Sequence, residues 1–469
     1  MLKHHYLLFV TIFLITLNSN AQFSKCSDQE EFSEFKSSLC TTVKTPLDYQ
    51  SNKDQTLNIF VRKFPSLKKR KGSIWLIAGG PGESGASFYP LINQFSKLFP
   101  HLDIFVPDHR GTGLSSKICP KQESIDSPNG IALANNEWGP CFGQMFSNKS
   151  YTQAFSITNA ANDLSVLMNQ LSGKGKRYVY GVSYGTQLVL RLLQLNSVKI
   201  DGVILDSLVP LQDDTDYDLS QRSFVTNNVG RAVLDLYNKP EPNNTVSLNN
   251  QLQNILKKTQ NNSDFAKKLP KQDLSIIFGM MLDIPEVRNK IPTIIKALAN
   301  NNVEPLNSAI ADITKFYTEY GAKYKTSSNS IPLTQVITGS ENNLKPEAKK
   351  SDVTKESKGL LFTSPLPKLI AENSMPTYQR DNYFAKVPKN MPPTLILHGT
   401  LDPKTHYNGA LRHYKKMAKN NDIKFIGVKD APHFIALFAP TAFTSTVTSF
   451  MNGQKITNKT IIDKNTLIQ

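Results

Sequence analysis

The chain has 469 residues, with 54 Lys and Arg against 38 Asp and Glu, a formal net charge of +16, and ordinary apolar (39%) and charged (20%) fractions. That length holds one large core, or a core with an inserted unit. The positive charge is scattered; the single dense basic run, Lys68-Lys69-Arg70-Lys71, comes with no zinc-ligand spacing and no RNA-binding aromatic motif, which excludes nucleic acid as the expected partner.

At the start, Lys3-His4-His5 precedes an apolar run from Tyr6 to Leu17 and then Asn18-Ser19-Asn20-Ala21. A short basic region, an apolar region and small residues read as a secretory signal over residues 1–21, cut after Ala21. The apolar run is too short for a comfortable bilayer span, so no stable membrane anchor is expected, and Lys25 before Cys26 argues against a lipoprotein site. The expected location is secreted or periplasmic. Cys26, Cys40, Cys119 and Cys141 all follow the cut, and four cysteines in an exported chain read as two disulfides. Of three connectivities, Cys26–Cys40 and Cys119–Cys141 are favoured because each closes a short loop. In a eukaryotic source Asn148, Asn243, Asn261 and Asn458 would head glycosylation sequons.

Thr41–Tyr49 and Thr56–Phe64 read as a hairpin, and Ser73–Ala78 as a central strand entering Gly79-Gly80-Pro81-Gly82-Glu83-Ser84-Gly85. That loop contains a formal dinucleotide fingerprint, Gly80-x-Gly82-x-x-Gly85. It does not open a βαβ series, and Pro81 sits where phosphate-binding amides belong. The reading adopted is an oxyanion loop, in which glycines let backbone N–H groups approach a carbonyl oxygen that becomes negative. Pro81 has no N–H, so the donors are expected at Gly80 and, beyond the nucleophile, at Tyr184. After the strand Asp103–Asp108, a turn through Ser115 is expected to hold an Asp108–Arg110 ion pair. Cys119–Cys141 reads as an irregular excursion and Phe155–Leu171 as a helix.

Apolar Tyr178-Val179-Tyr180 runs into Gly181-Val182-Ser183-Tyr184-Gly185, and Gln187–Leu193 follows at helical spacing. Strand, sharp turn and helix form the context in which this motif presents a serine nucleophile. A strand at Gly202–Asp206 follows. From Leu211 to Met391 helical patterns alternate with Asn/Lys/Ser-rich linkers, including Ser340–Lys358, and form a mostly helical insertion. Strands resume at Pro393–His398 and Lys424–Val428, and the tail from Asn452 reads as frayed. The organisation expected is an α/β class with a mostly parallel sheet, its core at residues 22–210 and 392–469 and a cap at residues 211–391.

A serine hydroxyl needs a histidine to take its proton and an acid to orient that histidine. Asp402 follows the Pro393–His398 strand and His433 follows the Lys424–Val428 strand. The chain order Ser183, Asp402, His433 matches that of one large hydrolase fold. Rivals are His398 as base and Asp206 as acid. No metal or cofactor is expected.

Together Cys40–Tyr49, Gly79-Gly80-Pro81-Gly82, Asp108–Ser115, Gly181–Thr186, Asp402 and His433 resemble the prolyl and tripeptidyl aminopeptidase family of serine exopeptidases, over about Cys40 to His433. The resemblance implies an α/β-hydrolase core, a helical cap, and removal of short N-terminal units from peptides with a free N-terminus. Ala78 stands where proline iminopeptidases usually have His, which points to the secreted tripeptidyl-like branch. The family recognises the free amine with cap carboxylates; Glu83, Asp213, Asp214, Asp216 and Glu372 are the candidates here. The competing readings are a carboxylesterase or lipase on the same fold, and a non-catalytic binding module.

Overall fold

The computed structural model describes residues 22–468 except 52–53, 239–246, 262, 271–272 and 373–374. The expected leader and Asn243 fall outside the described residues. Ten strands form one sheet: β1 (Ser24–Lys25), β2 (Leu39–Pro46), β3 (Thr56–Phe64), β4 (Gly72–Ile77), β5 (Leu102–Pro107), β6 (Lys176–Val182), β7 (Gly202–Asp206), β8 (Thr394–Gly399), β9 (Ile423–Val428) and β10 (Lys459–Ile461). Their order is β1-β2-β3-β5-β4-β6-β7-β8-β9-β10. The hairpin side pairs antiparallel as far as β3 on β5, and from β5 onward every pair is parallel. This is the expected α/β class.

The continuous apolar strands are explained by burial on both faces. In β4, Trp75 and Ile77 join one core while Ile74 and Leu76 join the other. Val179 and Tyr180 split the same way in β6, as do Val203 and Ile204 in β7 and Ile396 and Leu397 in β8. Each fully buried aliphatic or aromatic side chain stabilises by roughly 1.5–3 kcal/mol, so the sheet is held by removal of both faces from water. Trp75 stacks on Phe105 at 4.6 Å and donates its indole N–H to Ser172 at 3.0 Å.

Between β7 and β8 the described chain is helical and contributes a third apolar cluster, from Val229 to Phe362, joined by Leu401 of the loop after β8. The helix read as Arg231–Tyr237 begins at Arg222. The stretch before Arg231 carries Thr226, two asparagines and Gly230, which have low helix propensity. Gly230 is required there, because a Cβ would lie 2.3 Å from the Phe362 ring. The longest of the helices missed in this segment are Ile331–Glu341 and, inside the supposed linker Ser340–Lys358, Lys350–Ser357; the shorter Ser263–Lys267, Pro285–Arg288 and Leu366–Ile370 were missed too. The first shows a start signal, a Ser330 cap followed by Pro332.

Two further expectations are corrected. Asp108 and Arg110 do not pair. Arg110 makes a two-pronged contact with Asp163, at 2.7 Å on each arm, and gives its remaining donors to the carbonyls of Pro46, Leu47 and Ala154. All five guanidinium donors are thereby satisfied inside the core. Asp108 instead accepts the amides of Gly85 and Leu114, both at 2.8 Å. The tail is not frayed: β10 pairs with β9, Asp463 accepts the Ala442 amide, and the Thr466 carbonyl accepts from Arg288 at 2.6 Å.

The cysteine pairs are Cys26–Cys40 and Cys119–Cys141. Among the described residues no helix is long and apolar enough to cross a membrane.

His413, on the Tyr407–Met417 helix, is buried and donates Nδ1–H to the Val209 carbonyl at 2.8 Å. Burial, aided by Lys416 and opposed by Val209 and Asp213, lowers its pKa from 6.5 to about 4. The unfolded chain therefore binds this proton first as pH falls, and the stability held above about 6.5 is lost towards 4. In urea titrations from about pH 7 to about pH 4.5, the midpoint of the unmutated protein should fall relative to His413→Gln. A midpoint difference independent of pH would refute this account.

Candidate active site

Ser183 joins β6 to the Tyr184–Leu195 helix with φ 55° and ψ −127°, a conformation costly for any residue with a Cβ. The strain is held by what surrounds it. The Ser183 amide donates to the Asp206 carbonyl at 3.0 Å, and its own carbonyl accepts from the Thr186 amide at 2.8 Å and hydroxyl at 2.7 Å. A Cβ on Gly181 would sit 2.6 Å from the Gly185 carbonyl oxygen, and one on Gly185 would sit 2.3 Å from that of Ile77. The absence of side chains at these two positions lets strand and helix close on β4. The N-terminus of the helix, the positive end of its dipole, then lies at the serine.

Asp402 lies in the turn after β8, fully buried, and accepts four hydrogen bonds: the Lys404 amide at 2.7 Å, the Thr405 amide and hydroxyl at 2.8 Å, and His433 Nδ1–H at 2.8 Å. Burial alone would raise its pKa. The charge and hydrogen bond of His433, with His398 and the Thr405 amide, hold it well below the usual carboxylate range. His433 follows β9, and its bond to Asp402 fixes Nδ1 as the donor and leaves Nε2 as the acceptor. The rival base, His398, is wholly buried, with Nε2 against the Thr405 carbonyl at 2.6 Å. Burial pulls its pKa down to about 4, so it is neutral and turned inward.

The rival acid, Asp206, does not reach His433. It accepts from Tyr180 at 2.8 Å, Ser207 at 3.0 Å, and the amides of Ile435 at 2.8 Å and Ala436 at 2.9 Å. Those amides open the turn directly after His433-Phe434, and the Phe434 amide donates to Ser207 at 2.8 Å. Asp206 is thus a buttress for the loop that carries His433.

Ser183 and His433 line one cavity of about 480 Å3. Its charged lining is Glu83, Arg222, Asp283 and Lys404, and Phe316, Tyr317, Tyr320 and Phe434 supply an aromatic wall. A recess of about 40 Å3 shares Gly80, Ser183, Arg222 and Lys404 with it and adds Tyr184. Gly80, at φ +104°, and Tyr184 thus lie beside Ser183, where the sequence placed the oxyanion donors. Burial raises the Glu83 carboxyl above its ordinary pKa, countered by Lys404, His433 and the Gly79 amide. Lys404 pairs with Asp283 at 3.2 Å, and Tyr317 donates to the same Asp283 oxygen at 3.0 Å.

Of the carboxylates expected to bind an amine, only Glu83 lines the cavity. Asp213 is half exposed and lies 3.7 Å from Lys416, Asp214 and Asp216 both pair with Arg412, and the exposed Glu372 accepts the Lys350 amide at 3.1 Å. These are corrected to surface roles. Sequence reasoning missed Arg222, Asp283, Lys404 and Tyr317. For Lys404 the signal was its place two residues after Asp402; the others had none beyond helix periodicity. Among the described residues no group of His, Cys, Asp or Glu is arranged to hold a metal ion.

A family model described as alpha/beta hydrolase fold matches residues 73–440. The serine protease Hip1 of Mycobacterium tuberculosis is 26% identical over 202 residues, 39% of this chain and 38% of Hip1. The putative hydrolase YuaR of Escherichia coli is 27% identical over 192 residues, 38% of each chain. The matches thus span under two fifths of the length of these relatives. Among solved structures, a thermophilic esterase from Thermogutta terrifontis aligns over 88% of this chain and 98% of its own, at 14% identity and a TM-score of 0.38. At that score the likeness carries no functional weight.

Asp206→Asn replaces an acceptor of two backbone amides with a side chain that can clash with one of them. Stability should fall by about 1–3 kcal/mol, the cost of a buried polar group left unpaired. Labelling of Ser183 by a fluorophosphonate should persist below the unfolding temperature. Complete loss of labelling in a folded variant would give Asp206 a direct part in the chemistry.

Proposed function

Since the chain belongs to the alpha/beta hydrolase fold family, we propose that it is an exported serine aminopeptidase releasing short N-terminal units, from a single residue to a tripeptide, through an acyl-enzyme on Ser183. The observation that carries the reading is the 2.8 Å bond from His433 Nδ1 to a buried, ionised Asp402, with His433 and the strained Ser183 on one cavity wall. Ser183 attacks the scissile carbonyl carbon as its hydroxyl proton passes to His433 Nε2. Asp402 holds the ring and stabilises the imidazolium. The amides of Gly80 and Tyr184 take the charge on the tetrahedral oxygen; one such donor is worth about 10²–10³ in rate. His433 then gives the proton to the departing amine and the C–N bond breaks. In the second half, His433 takes a proton from water as the water attacks the ester. The acyl product leaves as an acid and Ser183 regains its proton.

Peptidase rather than esterase chemistry is supported by the similarity to the serine protease Hip1 and by Glu83. That carboxylate lines the cavity beside Ser183, accepts the Gly79 amide, makes no hydrogen bond to a side chain among the described residues, and suits a substrate ammonium group. The helical segment at residues 211–391 serves as the cap that keeps internal stretches of chain away. Export is supported by the leader pattern and by two disulfide pairs.

Ser183→Ala should lower turnover on the order of 10^6-fold and abolish fluorophosphonate labelling. Labelling that survives the substitution would remove Ser183 from the role. Asp402→Asn, which leaves His433 in the wrong tautomer, should cost up to about 10^4 in turnover.

Acetylating the substrate amine should lower kcat/KM by roughly 10² or more, and Glu83→Gln should narrow that gap. Equal rates on acetylated and free peptides would leave a general serine hydrolase, with faster turnover of acyl esters marking the carboxylesterase.

A further inference from the structure

Arg222 opens the Arg222–Tyr237 helix and lines both the main cavity and the adjoining recess, the two spaces that meet at Ser183. Among the described residues its guanidinium makes no hydrogen bond and no ion pair. Other inward-facing arginines engage protein acceptors, although Arg288 leaves its Nε without one. Arg110 has five acceptors, Arg62 pairs with Asp28 at 2.6 Å, Arg191 pairs with Asp381 at 3.1 Å, and Arg288 holds two carbonyls. Arg222 is half-buried and faces the cavity, so its donors are open to whatever enters that space.

Neither nearby acid pairs with it among the described residues. Asp402 and Asp283 attract Arg222 electrostatically while burial lowers its pKa. Asp402 is occupied by four hydrogen bonds, and Asp283 holds Lys404 and Tyr317 on one oxygen. Five donors in a rigid planar fork match the two oxygens of a carboxylate.

We propose that Arg222 binds a carboxylate of the substrate, so that the preferred peptides carry a free acid close to the scissile bond, from either a C-terminus or an acidic side chain. The inference rests on the reading of Ser183 as a hydrolytic nucleophile and deepens it. With Glu83 taking the ammonium end, the cavity is matched to short zwitterionic peptides and not to long neutral chains.

The test uses the full chain and two substrate pairs, one differing only in a C-terminal acid or amide, the other in Glu or Gln beside the scissile bond. In at least one pair the acid should exceed its neutral partner in kcat/KM by roughly tenfold or more. The ratio should fall to about one in Arg222→Gln and recover in part in Arg222→Lys, which keeps the charge without the fork. The pair that responds identifies the source of the carboxylate.

Ratios near one in the unmutated protein, or a ratio that survives Arg222→Gln, overturn the inference. A uniform loss on both members of a pair also overturns it and leaves Arg222 as electrostatic support for Asp402. If Arg222→Gln does not fold, judged by loss of fluorophosphonate labelling, the ratios of the unmutated protein and of Arg222→Lys decide. Hydrolysis with no acid preference refutes this inference alone. Absence of both hydrolysis and Ser183 labelling in the unmutated protein refutes the hydrolase reading beneath it.

Discussion

The geometry around Ser183 depends on one steric constraint: three backbones must meet where no side chain can fit. Gly185 lies against the Ile77 carbonyl and Gly181 against Gly185, so a methyl group at either would push the helix off the sheet. Only with that contact closed is the serine forced to positive φ and presented at the edge of β6. The strain there is of the order of 1–3 kcal/mol, small beside the burial of both sheet faces, which is why the fold can sustain it.

Around that point the polar groups are arranged by what burial demands of them. Asp402, Asp206 and Asp108 are all buried, and each is surrounded by donors from a different loop. Asp402 collects the turn after β8 and His433, Asp206 collects the turn just beyond His433, and Asp108 collects Gly85 of the glycine loop. A buried carboxylate needs several partners, so each of these three works as a node that ties together segments distant in sequence.

Much of this was legible in the sequence. The apolar runs located the central strands, and the turn chemistry located Ser183, Asp402 and His433 at strand ends. Local signals are strong for such features because each is written in a few consecutive residues. What was not legible is set by distant contacts. Arg110 was read as the partner of its near neighbour Asp108, but the acid that satisfies it, Asp163, lies on a helix elsewhere in the chain. Asp213 and Glu372 looked like cavity acids only because they fall in the right segment; their actual neighbours are Lys416 and the Lys350 amide. The Ile331–Glu341 helix was missed since its threonines and glycine have poor intrinsic propensity, and packing against Gly82 and Gly111 overrides it. The tail from Asn452 has little apolar content, and its order comes from pairing with β9 and from Arg288.

That last helix also bears on the glycine loop. Ser330, its cap, donates its amide to the Gly82 carbonyl at 3.0 Å, and a Cβ on Gly82 would lie 2.3 Å from the Ser330 carbonyl oxygen. The helical segment lining the cavity and the glycine loop are therefore joined backbone to backbone, and the Ser84 hydroxyl of the loop adds a bond to the Thr326 carbonyl at 2.6 Å. If the helical segment shifted as a lid, it would drag Gly80 and its amide along. In the proposed reaction a displacement of this segment would therefore disturb an oxyanion donor as well as the cavity wall.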